Sequence, residues 1–591
     1  MIDNEPTTPA LTTYFQWFFW SALSVFLFMY GTRPLIDPDL WWHLKSGAVM
    51  IENRGLLQTD PFTFTGDGVV SAREALILKG YWLWQITAYG LYSLFSYNGI
   101  FLLNILTIGA ITGVLIWQLQ RRQVGPALSA FLLSAGLFLV SSTYPLERPQ
   151  VISLLFIALL LAHLQEVRDG GRLGWTLPLL MILWPQFHGG YVVGVLILLC
   201  FAVGVVMEYR QDPPRLRHLL LWAALGILAT FLNPNGGEVY VELFSFYNSE
   251  VMIGISEFKS TWEKFQTGSH WVAVLWGLIA IYFIGLWYSR RLYWPELIVA
   301  LFLAYFSVKH ARNIGLFPVA MLPLIGAHYL EGARRREWRL STFFSSLLLT
   351  IGAVFLLWLS YSLWHVRQGS GPVKAIYPEN AIEFLHDSKL QGNMFNDYTY
   401  GGYLLWRLSP QIKIFIDGRG MEPQVFTDWQ KLSVASNTWV LGRREYEVLL
   451  ERYAIDYIIQ PIYDGEGNIQ FLMKTLLSKP EWVPIYLDST VYILARLNAG
   501  NAAAIDAYRI EKEEFKTRML LIINYISQSA PQEIGYQVAR AGMLLYMGMY
   551  DEAKAQVEVV AARSPKERSL SYLQNDLSIL RTKRMIESGS R

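Results

Sequence analysis

The chain has 591 residues, of which 53% are apolar, 15% aromatic and only 16% charged, with a formal net charge of +2. A soluble protein of this size normally carries more charge; the near-zero net charge itself says nothing about nucleic acid, and no nucleic-acid partner is expected. One cysteine, Cys200, lies inside an apolar run, which excludes an intrachain disulfide and a cysteine metal site.

A helix needs roughly 20 residues to cross a hydrocarbon core of about 30 Å. Apolar runs predict about eleven spans, near 13–31, 99–119, 126–143, 150–164, 174–187, 191–208, 218–232, 271–288, 294–309, 314–330 and 342–364. The first run has no basic flank before it and no small-residue cleavage site after it, so it reads as a retained span. The segment 81–96 (YWLWQITAYGLYSLFS) is aromatic and amphipathic. It reads as a helix lying in the outer interface, because counting it as a span would reverse the side of each basic cluster.

Those clusters are Arg121/Arg122, Arg168/Arg172, Arg210/Arg215/Arg217, Arg290/Arg291 and Arg334/Arg335/Arg336/Arg339, in alternate gaps between spans. Positive charge in short loops marks the cytoplasmic side. The N-terminus is then cytoplasmic. The outer segments are 32–98, 144–149, 188–190, 233–270, 309–313 and everything after about 365.

Past His365 the hydropathy falls, and 366–500 reads as a mixed α/β domain. AIEFLHDSKL (381–390) is helix-like, and NMFND (393–397) and IKIFIDG (412–418) are strand-like. YEVLLERYAIDYIIQ (446–460) reads as a helix then a strand, and STVYILARL (489–497) as another strand. From 501 to 591 the pattern is helical. Within it 539–565 resembles a single tetratricopeptide repeat, too little to bury a solenoid core alone.

The chemistry-bearing residues collect on the outer side. Asp37 and Asp39 follow the first span, then Trp41, Trp42 and His43. A carboxylate here can be a general base on an acceptor hydroxyl, can hold a divalent cation against a phosphate, or can simply cap the helix beginning at Leu40. Glu147 and Arg148 lie in the 144–149 turn. An outward arginine breaks the positive-inside trend, which points either to a lipid-linked phosphate or to an internal Glu–Arg pair. Lys309, His310 and Arg312 break it in the same way. His188, before Gly189-Gly190, can line a cavity or be a packed interface histidine, and Glu257 and Lys259 read first as surface charges. In the soluble domain Asp417, Gly418 and Arg419 can present charge to a cleft or form a tight turn with a structural ion pair. No Walker loop, dinucleotide fingerprint or zinc motif is present, so cytoplasmic nucleotide chemistry is not expected.

Together these features resemble the GT-C class of polyprenyl-phosphate-dependent membrane glycosyltransferases, in particular the lipid A aminoarabinose transferases and the protein mannosyltransferases. The class carries an acidic motif in its first outer loop, matched by Pro38-Asp39 with Asp37 beside it. The aminoarabinose transferases continue into an interfacial helix with Gly-Tyr-Trp, matched by Gly80-Tyr81-Trp82, with a lysine shortly before it, here Lys79. They also place a Tyr and then Asp-Pro at the outer end of the third span. This chain has Tyr144 but Glu147-Arg148-Pro149, so an arginine stands for the second acid. DPDLWWHL, ERPQ, FHGG, LNPNG, HARN and FIDGR further resemble a large set of bacterial membrane proteins described as glycosyltransferases, some with tetratricopeptide segments.

The resemblance implies a polytopic α-helical membrane protein of the bacterial inner (cytoplasmic) membrane. Its GT-C-like domain would span 1–365 with a long first outer loop at 32–98. A periplasmic α/β domain (366–500) and a helical, TPR-like segment (501–591) would follow. It implies sugar transfer from a polyprenyl-phosphate-linked donor to an extracytoplasmic acceptor, whether glycan, lipid or protein. Asp39 would be the catalytic base and Asp37 its support, the two also being the implied ligands of any divalent cation. Arg148, Lys79, Lys309 and Arg312 would bind the donor phosphate, and His43, Glu147, His188, His310, Asp417 and Arg419 are further cavity candidates. The alternative is a non-catalytic scaffold or transport component of an envelope polysaccharide pathway, which the missing second acid and the repeat-like tail both suit.

Overall fold

The structure is a computed structural model describing residues 8–66, 71–168, 170–247, 256–338, 340–365, 376–420, 422–440, 442–565 and 567–589. Arg339 of the last basic cluster lies outside the described residues. The chain divides into two compact units. One comprises Met1–Thr59 and Val70–Gly371, the other Asp60–Val69 and Pro372–Arg591. Residues 60–69 of the first long loop therefore belong with the C-terminal half, a division the sequence reading did not draw.

The first unit is helical. Among the described residues seven helices are long and apolar enough to cross a membrane: Tyr97–Arg121, Pro126–Thr143, Gln150–Val167, Tyr191–Tyr209, His270–Ser289, Leu316–Arg335 and Thr342–Trp364. Helices also form at the other four expected spans, Thr8–Gly31, Thr176–Phe187, Pro213–Ala229 and Trp294–Lys309. Thr176–Phe187 has 12 residues, about 18 Å at roughly 1.5 Å per residue, which is short of a full hydrocarbon core. Leu106, Val203, Leu228, Ile284, Leu301 and Val354 are exposed along these helices, an apolar exterior that suits lipid better than water. Phe26, Tyr30, Leu139, Ile157, Phe317 and Met321 fill the interior.

The loop after the first span is largely helical. Helix Asp39–Glu52 is followed by Ala72–Lys79 and Trp82–Phe95. The last of these is the expected aromatic helix. The eight residues Ala72–Lys79 form a helix the apolar pattern did not indicate, because its signals are polar: the Ser71 side chain accepts from the Glu74 N–H at 3.1 Å.

The basic gaps gather at one end of the bundle. Arg121 pairs with Glu166 at 2.5 Å, and Arg122 donates to the Gln165 side chain. Arg215 donates to the Val167 carbonyl, Arg334 to Gln123 and Arg336 to the Tyr288 carbonyl. The loops that sequence alternation assigns to one side are in contact with one another.

The second unit holds a four-stranded mixed sheet. Its strands are β1 (Asn393–Asn396), β4 (Ile455–Pro461), β5 (Trp482–Leu487) and β6 (Val491–Arg496), in the order β1-β4-β6-β5, while β2 (Trp439–Val440) and β3 (Arg443–Arg444) form a small hairpin. β1 runs parallel to β4, and β6 is antiparallel to both β4 and β5. Two differences from expectation have clear causes. The segment 412–418 makes no ladder, only one bridge from Ile414 to Thr63. The Asn396 side chain takes the Phe415 N–H and the Ile416 carbonyl instead. Conversely, β5 forms despite Pro484, since it is an edge strand with an irregularity at that proline.

The helical tail is not separate from this domain. Phe515, Met519, Ile523, Ala539 and Met543 share a core with Ile458, Tyr492 and Leu494. Helices Ile534–Tyr546 and Tyr550–Arg563 pack as a hairpin whose turn places Gly548 at φ +76°.

Candidate functional site

Three turns at the bundle end opposite the arginine clusters are tied together by Tyr144. Its carbonyl accepts from the Tyr30 hydroxyl at 2.6 Å, which fixes the end of the first span. Its own hydroxyl donates to the Arg312 carbonyl at 2.8 Å, which fixes the 309–313 turn. Gly315 lies flat against the ring, and a Cβ there would sit 2.5 Å from the Tyr144 ring edge. These bonds bring Asp37, Asp39, Arg148 and Arg312 from distant stretches of sequence into one cluster.

Pro38, with φ −67°, precedes helix Asp39–Glu52. Asp37 caps that helix, since its Oδ1 accepts the Asp39 N–H at 2.9 Å. Asp37 Oδ2 accepts from Arg148 Nε at 2.8 Å. Asp39 Oδ2 lies 3.2 Å from the same Nε, and its Oδ1 accepts from Trp42 Nε1 at 3.2 Å. Arg148 Nη1 donates to Glu257 Oε1 at 3.2 Å, and the other oxygen of Glu257 stands 4.0 Å from Arg312. Beside them Arg33 pairs with the fully buried Glu147 at 2.9 Å. Four carboxylates thus face three guanidiniums. Both oxygens of each aspartate are engaged, but Asp37 is 5% exposed, Asp39 19% and Arg312 36%.

The electrostatics follow from this geometry. Burial pushes the Asp37 carboxyl up to about 7, against the pull of Arg148 and with the push of Asp39 and Glu147. Burial raises Asp39 as well, again opposed by Arg148. Because both acids face the same guanidinium, they titrate as a pair rather than as separate groups. Burial disfavours the charge on Arg148, but Asp39, Asp37 and Glu257 outweigh it and hold the guanidinium above its ordinary value.

An aromatic nest adjoins the acids. His43 stacks on Trp42 with centroids 3.5 Å apart, Tyr81 lies edge-on to both, and His188 faces Tyr81 at 5.7 Å. His188 Nδ1 accepts the Gly190 N–H at 2.9 Å and lies 2.8 Å from Ser153 Oγ, which itself accepts from Trp184 Nε1. Burial and the nearby Arg312 push His188 down to about 3. A neutral imidazole with its Nδ1 accepting is a fixed, uncharged wall and not an anion-binding cation. His43 Nδ1 is 3.1 Å from Gln85 Nε2 and the ring is buried. His310 Nδ1 bonds the Phe258 carbonyl at 2.7 Å, and the Ala311 N–H the Lys259 carbonyl, which docks the 256–260 segment onto the 309–313 turn.

The expected residues are therefore distributed unevenly. Asp37, Asp39, Arg148 and Arg312 meet directly or through Glu257, and Glu147 stands beside them on Arg33. Arg148, expected on a donor phosphate, is engaged by three carboxylates. Lys79 ends its helix next to Gly80-Tyr81, and Lys309 lies over the Tyr305 ring at 5.6 Å. Asp417 and Arg419 lie in the second unit. There Arg419, 1% exposed, is gripped by Asp417 at 2.6 Å and Asp60 at 2.8 Å. That is a closed ion-pair network locking 60–65 to 414–420. Glu257 and Arg33 join this cluster, although the sequence reading ranked Glu257 as a surface charge and passed over Arg33. Arg33 breaks the positive-inside trend just as Arg148 does, so the same rule could have found it.

The acid pair does not offer a divalent cation a donor set. The place between Asp37 and Asp39 is filled by Arg148 Nε. Among the described residues no group of three or more His, Cys, Asp or Glu is arranged to hold a metal ion.

No family model and no curated protein matches the chain. Among solved structures it is similar to the Archaeoglobus fulgidus oligosaccharyltransferase tethered to an acceptor peptide, at 12% identity and TM-score 0.46, over 82% of this chain and 74% of that one. A second structure of that enzyme, with zinc and sulfate, gives 12% and 0.46 over 93% and 86%. ArnT from Cupriavidus metallidurans bound to undecaprenyl phosphate gives 13% and 0.45 over 83% and 99%. Likeness at this level assigns no activity to this chain.

Proposed function

We propose that the chain is a membrane glycosyltransferase that moves a sugar from a polyprenyl-phosphate donor to an extracytoplasmic acceptor. The observation that carries this reading is the meeting of Asp37, Asp39, Arg148, Glu257 and Arg312 at the bundle end opposite the basic gaps. By the positive-inside rule that end faces outward, where a donor bearing its own phosphate leaving group needs no nucleotide.

Asp39 is the base. It is the more accessible acid, and a raised pKa makes a carboxylate a stronger proton acceptor. It takes the proton of an acceptor hydroxyl as that oxygen bonds to the anomeric carbon of the donor. The bond from that carbon to the phosphate oxygen breaks on the opposite face, and its electron pair leaves with the polyprenyl phosphate. Asp37 and Arg148 hold Asp39 in place. Arg312, half-exposed and only loosely paired, receives the phosphate and stabilises the charge that grows on it. Lys79 and Lys309 add positive charge on the same side. The wall of Trp42, Tyr81 and His188 gives a sugar ring an aromatic face without a competing cation.

Asp39→Asn tests this reading. In membranes containing correctly folded variant, sugar transfer to the acceptor falls at least about 100-fold, the lower bound for loss of a general base. Undiminished transfer would remove Asp39 from the chemistry.

A further inference from the structure

Two largely buried carboxylates as close as Asp37 and Asp39 repel one another, and a positive charge between them offsets that repulsion. In this chain that charge is covalent. Arg148 Nε lies 2.8 Å from Asp37 and 3.2 Å from Asp39, and Nη1 reaches Glu257 at 3.2 Å. Two carboxylates thus share Nε and a third takes Nη1 of the same guanidinium. Arg148 comes from the turn before Gln150–Arg168, and that turn is anchored by the Tyr30–Tyr144 and Tyr144–Arg312 bonds. Its position is thus set by the fold rather than by side-chain chance. Its side chain is 17% exposed.

We infer that Arg148 is a built-in substitute for a divalent cation, so that the proposed transfer runs without a metal ion and the acid pair is closed to one. The inference rests on the reading of Asp39 as the site's base, but it concerns the site's cation and can fail separately. A guanidinium cannot accept phosphate oxygens into a coordination shell as a metal can. It can only orient carboxylates and supply charge at a fixed distance. The phosphate must therefore find its own partner, and Arg312 is the guanidinium left with room for one.

The inference also says what deletion should create. Removing the Arg148 side chain leaves Asp37 and Asp39 facing a vacated cationic position, two hard oxygen donors whose shell water can complete around Mn2+. Mn2+ binding to the purified full-length protein in detergent, followed by electron paramagnetic resonance, reads this directly and needs no substrate. Wild type should show no Mn2+ binding that depends on Asp37 or Asp39. Arg148→Ala should bind Mn2+ at least about tenfold more tightly than wild type, because no resident cation repels the ion. Adding Asp37→Asn to Arg148→Ala should abolish the gain. Wild-type Mn2+ binding that is lost in Asp37→Asn overturns the inference, as does a folded Arg148→Ala protein that gains none. Should Arg148→Ala fail to fold, Arg148→Lys and wild type decide it through chelation. Transfer that persists in excess chelator supports a built-in cation. Transfer that is Asp39-dependent but abolished by chelator overturns it while leaving the proposed function standing. Transfer indifferent to Asp39 sinks the function and leaves the Mn2+ result to be judged alone.

Discussion

Replacing Arg148 by Met keeps an unbranched apolar stem and removes the charge. Asp37, 5% exposed, and Asp39, 19% exposed, then lose the cation between them. Breaking a buried ion pair from one side costs about 3–5 kcal/mol, because the remaining charge is uncompensated. That cost should depend on pH. Asp37 already stands at about 7 against an ordinary 3.8, even with the guanidinium beside it. Without Arg148 its pKa moves higher still. A carboxyl raised in the folded state contributes stability that is fully present below its unfolded value and is lost as pH climbs through the folded one. At pH 5 the variant binds a proton at the site and escapes most of the penalty. At pH 8 that proton must be held against solution at about 1.4 kcal/mol per unit. Each kcal/mol lowers Tm by about 2–4 °C in domains of 150–250 residues. Thermal unfolding of the solubilised full chain should therefore show a Tm loss on the order of 10 °C at pH 8 and a clearly smaller one at pH 5. Asp37→Asn in the same background should flatten the difference. An equal loss at both pH values, or none at pH 8, would refute the charge balance described for this site.

Arg312→Ala should weaken binding of polyprenyl phosphate by about 10- to 100-fold, the worth of a charge-assisted bond of about 1.5–3 kcal/mol, while Tm barely moves; unchanged lipid affinity in a titration would remove Arg312 from the phosphate site. Tyr144→Phe deletes the hydroxyl that holds the Arg312 carbonyl and should cost about 0.5–1.5 kcal/mol of stability with a larger fall in donor affinity than in turnover. Arg419→Met should strand two buried carboxylates, Asp417 and Asp60, and expose the second unit to limited proteolysis, with a loss of about 3–5 kcal/mol there; wild-type protease resistance would contradict that.

The bundle was legible because its signals are repetitive. Apolar runs marked every long helix of the first unit, and the alternating arginines sorted their ends. The site was legible only in part. Asp37, Asp39 and Arg148 stood out by residue type and side, but which group each would touch was not readable. Arg148 to Asp37 spans 111 positions and Arg33 to Glu147 spans 114. Pairings at that range are set by how three turns pack on Tyr144. For Asp417 and Arg419 the sequence left a cleft or a structural ion pair open, because a charged turn after a strand-like run looks the same in both cases; the structure shows the ion pair. The partner, Asp60, sits in the first long loop, and no local signal there marks it as part of the other unit. The segment 412–418 carries strand-forming residues, yet the Asn396 side chain took the backbone groups a ladder would have used.

The most direct measurement is release of polyprenyl phosphate by the purified full chain in liposomes, offered a panel of polyprenyl-phosphate-linked sugars with acceptor present, for wild type, Asp37→Asn and Asp39→Asn. The expected result is release by wild type, partial release by Asp37→Asn, whose base is intact but poorly held, and release lower by about 100-fold or more in Asp39→Asn. Equal release by wild type and Asp39→Asn would contradict the assignment of this cluster as the transfer centre.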